Sequence, residues 1–269
     1  MMNDYDYRGL ITQAWDLFLG DTSKWPDRSF YLEAIQRYGG PVLDVGCGTG
    51  RLLLDFLSQG IDAEGVDNSP DMSALLRDKA GRMGLQRAVY LQGMEALDLP
   101  RRYQTILVPS SSFQRLIDPA LARQAIDRFY RHLLPGGVLI MPFEKARKEG
   151  EPLVIDFPTR EVVRPEDGAV FRRSVRNIYD LATECESGEL HYELILNGRV
   201  VAKEDHNWSP ATRSCAQAQS RRLYEEAGFS DIQLCAGYTW EPAKDNDTLW
   251  TIVGRRPPIA YDITARMAV

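Results

Sequence analysis

The sequence has few of the residues that build disulfide frameworks and metal centres. Among its 269 residues are only four cysteines and three histidines. No two cysteines form a C-x-x-C pair, and no histidine stands at a spacing typical of zinc ligands. The cysteines are Cys47, Cys185, Cys215 and Cys235. We therefore expect neither a disulfide framework nor a metal site.

Long apolar runs and an excess of positive charge are also missing. The longest apolar runs, such as Gly137 to Phe143, have the length of a strand, whereas a transmembrane helix needs about 20 residues. The N-terminus does not combine basic residues with an apolar run as signal peptides do, so we expect a cytoplasmic protein that contacts no membrane. The net charge of −6 disfavours a nucleic-acid partner, because binding to phosphates requires clustered lysine and arginine.

The residues that are present suit one sizeable core. Hydrophobic residues make up 44% of the chain and charged residues 26%, which is typical of globular proteins. Short apolar runs alternate with stretches of helical periodicity, and this alternation predicts a doubly wound α/β fold, with a mostly parallel sheet covered on both faces. The predicted strands of this part are 42–45, 61–66, 88–92, 105–109 and 138–142, and the predicted helices are 51–58, a helix from 70, and 119–133.

The segments on either side of this core have a different pattern. Two helices predicted at 7–19 and 27–38 form a cap before the core, and the pattern after Phe143 predicts an antiparallel insert. Extended segments there are 171–184, 189–196 and 200–208, with turns at Ser187-Gly188 and Asn197-Gly198. A helix at 213–227 and strands at 231–238 and 248–254 then complete the core sheet at its edge. The predicted divisions are a cap (1–39), a core (40–145), an insert (146–210), a C-terminal part of the core sheet (211–256) and an irregular tail (257–269).

A glycine-rich turn lies between the first predicted strand and the next helix. It reads Asp44-Val45-Gly46-Cys47-Gly48-Thr49-Gly50, and glycines at such a turn let the backbone approach a ligand closely. Asp67 ends the second strand, where a carboxylate can accept hydrogen bonds from both hydroxyls of a ribose. The two features together indicate a nucleoside ligand. The alternative is that the glycines serve only a tight turn and that Asp67 caps a helix.

Binding of a nicotinamide dinucleotide is the main rival interpretation of this turn. Its fingerprint reads G-x-G-x-x-G, but the last place of that pattern is Arg51 here, and Gly50 comes one position too early. A bulky side chain at this point should obstruct the approach of the helix to a pyrophosphate. The spacing therefore favours a nucleoside ligand that has no pyrophosphate.

The turn from Asp44 to Gly50 resembles the first motif of class I methyltransferases, which use S-adenosylmethionine as methyl donor. The resemblance covers most of residues 40–145. Asp67 to Met72 looks like the second motif of the family, with an acid that binds ribose and a methionine near adenine, and Leu133 to Leu139 is similar to its turn into the fifth strand. The third motif departs from the pattern: relatives commonly carry an acid directly after the strand, whereas this chain reads Gln92-Gly93-Met94-Glu95.

This resemblance implies a Rossmann-like methyltransferase fold with a seven-stranded sheet, S-adenosylmethionine as cofactor and S-adenosylhomocysteine as product. In the third region it implies that Met94 offers its backbone N–H to adenine or that Glu95 replaces the missing acid. The implied cofactor-binding residues are Asp44, Gly46, Cys47, Gly48, Gly50, Asp67, Asn68, Met72, Met94, Glu95, Pro109 and Ser110.

The loop after the fourth strand resembles the family's loop beside the transferred methyl group. In it, Ser112 and Gln114 are candidates for orienting an acceptor, unless the serines only form the turn. The loop lacks the N/D-P-P-Y/F pattern of enzymes that methylate the amines of nucleic-acid bases. No cysteine adjoins a proline, as methylation of cytosine at carbon requires. Both absences disfavour a nucleic-acid substrate.

Few residues are candidates for catalysis. Glu144, just after the fifth strand, is a candidate base or an anchor for an amine, or else a solvated strand end. His206 in the insert is a better candidate than His132, whose place near a helix C-terminus indicates a structural role.

Aromatic residues are concentrated in the N-terminal segment. The layout is similar to that of small-molecule methyltransferases, such as sarcosine-forming and amino-sugar N-methyltransferases, in which a helical segment closes over donor and acceptor. By this resemblance Tyr7 is a candidate catalytic residue, and Tyr5 and Trp15 are candidate acceptor contacts.

We therefore expect a monomeric or homodimeric enzyme that methylates nitrogen or oxygen of a small molecule. A methyltransferase acting on RNA or protein, and a non-catalytic nucleoside-binding module, remain as alternatives.

Overall fold

Two sheets organise the computed structural model, which describes residues 7–85, 89–145, 147 and 150–258. The strands, in chain order, are β1 (Val42–Val45), β2 (Ala63–Asp67), β3 (Val89–Leu91), β4 (Tyr103–Leu107), β5 (Leu133–Glu144), β6 (Val154–Val163), β7 (Val170–Asp180), β8 (Cys185–Leu196), β9 (Arg199–Arg213), β10 (Ser230–Ala236) and β11 (Leu249–Arg255). Seven of them form one sheet in the order β10-β11-β5-β4-β1-β2-β3, and β6 to β9 form the second sheet.

The central sheet is mostly parallel. Strands β1 to β5 pair in parallel, and β11 pairs antiparallel with both β5 and β10. Chain order reverses direction between β1 and β4, and ligands of open α/β sheets bind at such a point, beside the carboxyl ends of the strands. The predicted doubly wound fold is confirmed.

Helices cover both faces of the central sheet. The α-helices of the described residues are α1 (Gly9–Leu19), α2 (Pro26–Tyr38), α3 (Leu53–Ser58), α4 (Pro70–Arg82), α5 (Pro119–His132) and α6 (Gln217–Glu226). Side chains of α5 and α6, such as Phe129 and Tyr224, pack on one face, and those of α2, α3 and α4, such as Phe56 and Leu76, pack on the other. None of the helices in the described ranges is long and apolar enough to cross a membrane.

Local sequence explains where several elements begin and turn. Helix α4 begins with Pro70 after Ser69, whose hydroxyl accepts a hydrogen bond from the backbone N–H of Met72 at 3.1 Å. The hairpin between β8 and β9 turns at Asn197 and Gly198, both with positive φ (51° and 73°), as expected for this dipeptide.

The insert differs from its prediction in two places. Ser187 and Gly188 do not form a turn: they lie inside β8, and the chain turns between Asp180 and Cys185, where the Asp180 carboxylate accepts a hydrogen bond from the N–H of Ala182. Strand β6 was not predicted, because it is an edge strand, mostly exposed and interrupted by Pro158, and so has no alternating pattern.

Two helix boundaries also differ. Helix α5 ends at His132, and the chain enters β5 directly at Leu133, so that Pro135, Gly136 and Gly137 lie within the strand rather than before it. Helix α6 begins at Gln217 instead of residue 213, because β9 continues to Arg213.

The N-terminal helix packs on the insert rather than on the central sheet. Leu10, Ile11 and Phe18 of α1 are buried against Tyr192 and Trp208 of the insert. Helix α1 and the insert therefore form one apolar unit beside the central sheet, whereas α2, the second helix of the predicted cap, packs on the central sheet itself.

Candidate active site

A cavity of about 590 Å³ lies at the carboxyl ends of β1, β2, β4 and β5. Its volume is in the range of small-molecule sites. Most of the sequence-predicted site residues line it: Tyr7, Trp15, Asp44, Gly46, Cys47, Gly48, Asp67, Asn68, Met72, Met94, Glu95, Pro109, Ser110, Ser112 and Glu144. Residues from six separate segments of the chain thus meet in one place.

The glycine turn forms one wall of the cavity. Gly46 and Gly48 have positive φ (70° and 53°), a backbone conformation that other residues rarely adopt. A side chain at Gly48 would meet no protein atom within 4 Å, so the glycine leaves the backbone bare toward the cavity. The Cys47 sulfur packs against Gly65 of β2, where a Cβ would lie 2.8 Å from it. The backbone of this turn, rather than its side chains, is therefore what a ligand meets.

Asp67 holds the end of β2 to the glycine turn. Its carboxylate accepts hydrogen bonds from the N–H of Gly48 at 2.7 Å and from the N–H of Ser69 at 2.8 Å. These bonds fix the orientation of a carboxylate at the cavity wall, and a carboxylate has about four lone-pair positions, enough to accept from ligand hydroxyls as well. This arrangement suits a ribose.

Asp44 is the most deeply buried acid of the cavity. It is 1% exposed, and its Oδ1 has no hydrogen-bond partner among the residues that the structure describes. Burial raises the pKa of Asp44 to about 7, against the lowering effect of the Arg51 charge. A buried carboxylate with one oxygen that accepts no hydrogen bond from the described residues is suited to a ligand ammonium group. Such a group would supply both a hydrogen bond and a countercharge.

The adenine side of the cavity shows how the chain departs from the family pattern in the third region. Met94 and Glu95 lie in a short 3-10 helix, Met94–Ala96, and both line the cavity. The Glu95 carboxylate folds back over Gly93, into the space that a side chain at position 93 would occupy. An acid from two residues further along therefore stands where the family commonly has one directly after the strand.

The acceptor side is built by the loop after β4 and the end of β5. Ser110 and Ser111 both have positive φ (56° and 54°), and the Ser112 hydroxyl donates to the Pro109 carbonyl at 2.7 Å. Strained backbone of this kind persists where surrounding structure holds it and is frequent at functional sites. Glu144 lies at the exposed end of β5 and lines the cavity, and partial desolvation there raises the pKa of its carboxyl above its usual range.

Three of the expected site residues lie off the cavity. Gly50 serves packing, since a Cβ there would lie 2.9 Å from Leu54 and from Leu76. Gln114 is buried and joins β5 to β9: its amide donates to the carbonyls of Glu144 and Arg213, both at 2.8 Å. His206 lies within the insert, 3.3 Å from the Glu204 carboxylate. Tyr5 lies outside the described residues.

Aromatic side chains of the cap also line the cavity. Tyr7 and Trp15 pack edge to face, with ring centroids 4.9 Å apart, and both line the cavity together with Trp25. Sequence reasoning did not identify Trp25 as a site residue, nor Arg115 from the loop after β4 or Thr212 from the insert. Arg115 and Thr212 belong to no motif, and only the folded chain brings them to the site.

Comparison with known proteins agrees with this geometry. Residues 42–137 match the family model described as a methyltransferase domain. A protein of Geobacillus sp. (strain WCH70) that bears a methyltransferase name is 28% identical over 84% of this chain and 90% of its own length. The chain is a class I S-adenosylmethionine-dependent methyltransferase.

Two further relatives of this methyltransferase have known acceptor classes. One is an enzyme of Streptomyces fradiae, dTDP-3-amino-3,6-dideoxy-alpha-D-glucopyranose N,N-dimethyltransferase, which is 30% identical over 51% of this chain. The matched region is about half of that enzyme's length (54%). An amino pentose methyltransferase of Micromonospora echinaspora has a structure solved with S-adenosylmethionine bound, which is similar to this one with a TM-score of 0.66 at 19% identity. The match covers 93% of this chain and 98% of the chain of that enzyme. At that identity the likeness shows the fold.

The cavity fits the donor of a class I methyltransferase. Asp67 suits the ribose, the free Oδ1 of Asp44 suits the ammonium group of the methionyl part, and Met72, Met94 and Glu95 suit the adenine. The bare backbone at Gly48 offers the close approach that these groups require.

Proposed function

We propose that this methyltransferase transfers a methyl group to an amine nitrogen of a small metabolite. The observation that carries the proposal is Glu144, an acid with a raised pKa at the end of β5, in the same cavity as the donor-binding residues. A carboxyl group of that kind can hold a substrate ammonium by charge and accept its proton, which exposes the nitrogen lone pair. The names of the Streptomyces and Micromonospora relatives, which describe amino sugar and amino pentose substrates, support the same acceptor class.

The chemistry needs little more than alignment and the exclusion of water. The bound donor supplies a methyl group on a sulfonium, so that a new N–C bond forms as the C–S bond breaks and its electron pair stays on sulfur. The loop from Pro109 to Ser112 would hold the acceptor opposite Gly46. Tyr7 and Trp15 would keep water from the reacting atoms, and Glu144 would take the proton that the amine loses.

The lining of the cavity favours a small acceptor over RNA or protein. Aromatic side chains of the cap line the same cavity as the donor-binding residues, and a macromolecular substrate would need an open groove in their place. The overall charge of −6 gives no support for a nucleic-acid surface.

The experiment is methyl transfer from labelled S-adenosylmethionine to a panel of amino acids, amino sugars and nucleotide-linked amino sugars, each paired with its hydroxyl counterpart. We expect at least one amine to gain a methyl group on nitrogen. We expect Glu144→Gln to lower kcat by about 10²- to 10⁴-fold, because the proton acceptor is lost, with donor affinity unchanged.

Glu226→Gln is the matched control, because Glu226 is an exposed glutamate of α6 paired only with Arg222 at 3.7 Å. It should leave kcat unchanged. Methylation of hydroxyl counterparts alone, or full activity of Glu144→Gln, would contradict the proposal. Tight donor binding without turnover of any amine or hydroxyl compound would favour a non-catalytic nucleoside-binding module.

A further inference from the structure

A second charged side chain of the cavity has no role in the chemistry described so far. Among the described residues, two cationic side chains line the cavity, Arg51 and Arg115. Arg51 is neutralised by Asp27, which accepts from both of its terminal nitrogens at 3.1 and 2.5 Å. Arg115, at the end of the 3-10 helix Ser112–Arg115, has no carboxylate partner within the described ranges, and its Nη2 is buried without a hydrogen-bond acceptor.

The acids near Arg115 do not neutralise it. The Asp118 carboxylate accepts a hydrogen bond from the N–H of Ala120 at 2.7 Å, where it caps α5. Glu144 lines the same cavity but forms no ion pair with Arg115. A buried N–H of a charged group that lacks an acceptor costs free energy in the folded protein, so this position is one that a ligand anion would stabilise.

Two aromatic rings hold the guanidinium in place. Its central carbon lies 5.1 Å from the ring centroid of Tyr7 and 4.8 Å from that of Trp208, and these two rings pack edge to face 5.2 Å apart. Attraction between a cation and an aromatic face fixes the side chain without using its N–H groups. The N–H groups of a guanidinium form a planar fork, the geometry that matches a carboxylate or a phosphate with two parallel hydrogen bonds.

We propose that Arg115 binds an anionic group of the acceptor, a carboxylate or a phosphate. The inference rests on the proposed function and deepens it: Arg115 receives the anion while Glu144, which lines the same cavity, receives the amine. Because Tyr7 comes from the cap and Trp208 from the insert, the anion site is complete only when both rings lie against the loop after β4, which carries Arg115. Arg115 is thus a determinant of substrate specificity.

The first test measures anion binding without turnover. Acetate and inorganic phosphate are titrated into the protein saturated with S-adenosylhomocysteine, so that the sites of the donor's own charged groups are filled. We expect one of the two anions to bind. Binding of acetate would indicate an acceptor with a carboxylate, and binding of phosphate would indicate an acceptor with a phosphate. Arg115→Met, which keeps the length of the side chain without its charge, should weaken this binding about tenfold to a hundredfold. Arg115→Lys should retain part of it, because it keeps the charge but loses the fork.

Arg37→Met is the matched control. Arg37 also stacks on an aromatic ring, that of Trp240 at 3.9 Å, but it does not line the cavity. The control should bind the anion as the unchanged protein does, and thermal unfolding of each variant verifies that it is folded.

The second test uses paired acceptors: amino acids against their amides, and phosphorylated amino sugars against the free sugars. We expect the unchanged protein to prefer the anionic member of a pair, and Arg115→Met to lose that preference, with a larger fall in kcat/KM for the anionic member than for the neutral one. Equal losses for both members, no binding of either anion, or a matching loss of S-adenosylmethionine affinity in Arg115→Met would overturn the inference. The last result would assign Arg115 to the donor's carboxylate. Anion binding through Arg115 in a protein that methylates no amine would instead overturn the proposed function alone.

Discussion

Asp67 acts on two partners at once, the glycine turn and the ribose that we expect beside it. Asp67→Ala removes a charge-assisted hydrogen bond to the donor and should weaken donor binding by about 1.5–3 kcal/mol, measured by calorimetry with S-adenosylmethionine and S-adenosylhomocysteine. Asp78→Ala is the control, since Asp78 lies on exposed α4 surface and pairs with Arg82. Unchanged affinity in Asp67→Ala would place the ribose elsewhere.

Asp44 gives donor binding a pH dependence. With its pKa raised to about 7 by burial, the carboxyl is ionised above pH 7 and becomes protonated as the pH falls below it. Only the ionised form attracts an ammonium group, so donor affinity should fall by about tenfold between pH 8 and pH 6. Asp44→Asn has no charge to lose, and its weaker affinity should stay flat over this range. A parallel decline in both proteins would assign the pH dependence to another group.

At the level of single residues, the sequence predicted donor contacts better than acceptor contacts. Asp44 and Asp67 stand in motifs whose spacing along the chain fixes their place at the ends of β1 and β2. Arg115 follows no such rule, because its partners Tyr7 and Trp208 come from segments about a hundred residues away on either side. Gln114, its neighbour, faces the opposite way, into the junction of β5 and β9.

Asp16 is one of the side chains that fasten helix α1 to the donor-binding elements; another is Asp71, whose carboxylate accepts a hydrogen bond from the N–H of Gly9. Asp16 accepts hydrogen bonds from the Thr49 hydroxyl at 2.5 Å and from the Lys79 ammonium at 2.8 Å. Asp16→Ala should release the cap from the glycine turn and speed donor dissociation by a few-fold, since a bond of this kind is worth about 0.5–1.5 kcal/mol. Stopped-flow measurement of donor release tests this.

Lys79→Ala separates the two bonds of Asp16. It removes only a solvent-exposed ion pair, which contributes little, and so should affect donor release less than Asp16→Ala does. If both variants release donor at the original rate, the bonds of Asp16 do not control donor release, and the other contacts of α1 hold the cap.

At the level of secondary structure, prediction succeeded where each element carries its own signal. The Pro70 and Pro119 starts, the Asn197-Gly198 turn and the buried strands are of this kind. Prediction failed where pairing with a neighbouring strand determines the conformation. Ser187-Gly188 has the composition of a turn but is held in β8 by pairing with Asn177 and Ile178 of β7. Strand β6 exists because β7 offers it an edge, not because of its own pattern.

Ligand binding should be visible in the stability of the whole molecule. A ligand that binds only the folded state at a concentration of a hundred times its Kd stabilises it by about 2.7 kcal/mol, which for a chain of this size raises Tm by about 5–10 °C. We expect this shift with S-adenosylhomocysteine in a thermal unfolding scan. Nicotinamide adenine dinucleotide should give none, because Arg51 stands where a dinucleotide site requires glycine. The reverse result would contradict the assignment of the donor.

Sequence alone determined the class of fold and the donor, because both depend on signals between residues close along the chain: alternating strands and helices, the turn from Asp44 to Gly50, and the acid at the end of the next strand. Only the tertiary structure decided the acceptor side. Its wall is assembled from the cap, the loop after β4, the end of β5 and the insert, and contacts between such distant segments leave no periodic pattern in the sequence. For that reason the sequence by itself reveals the glycine turn, whereas the place of the Arg115 guanidinium between Tyr7 and Trp208 is set only in the folded chain.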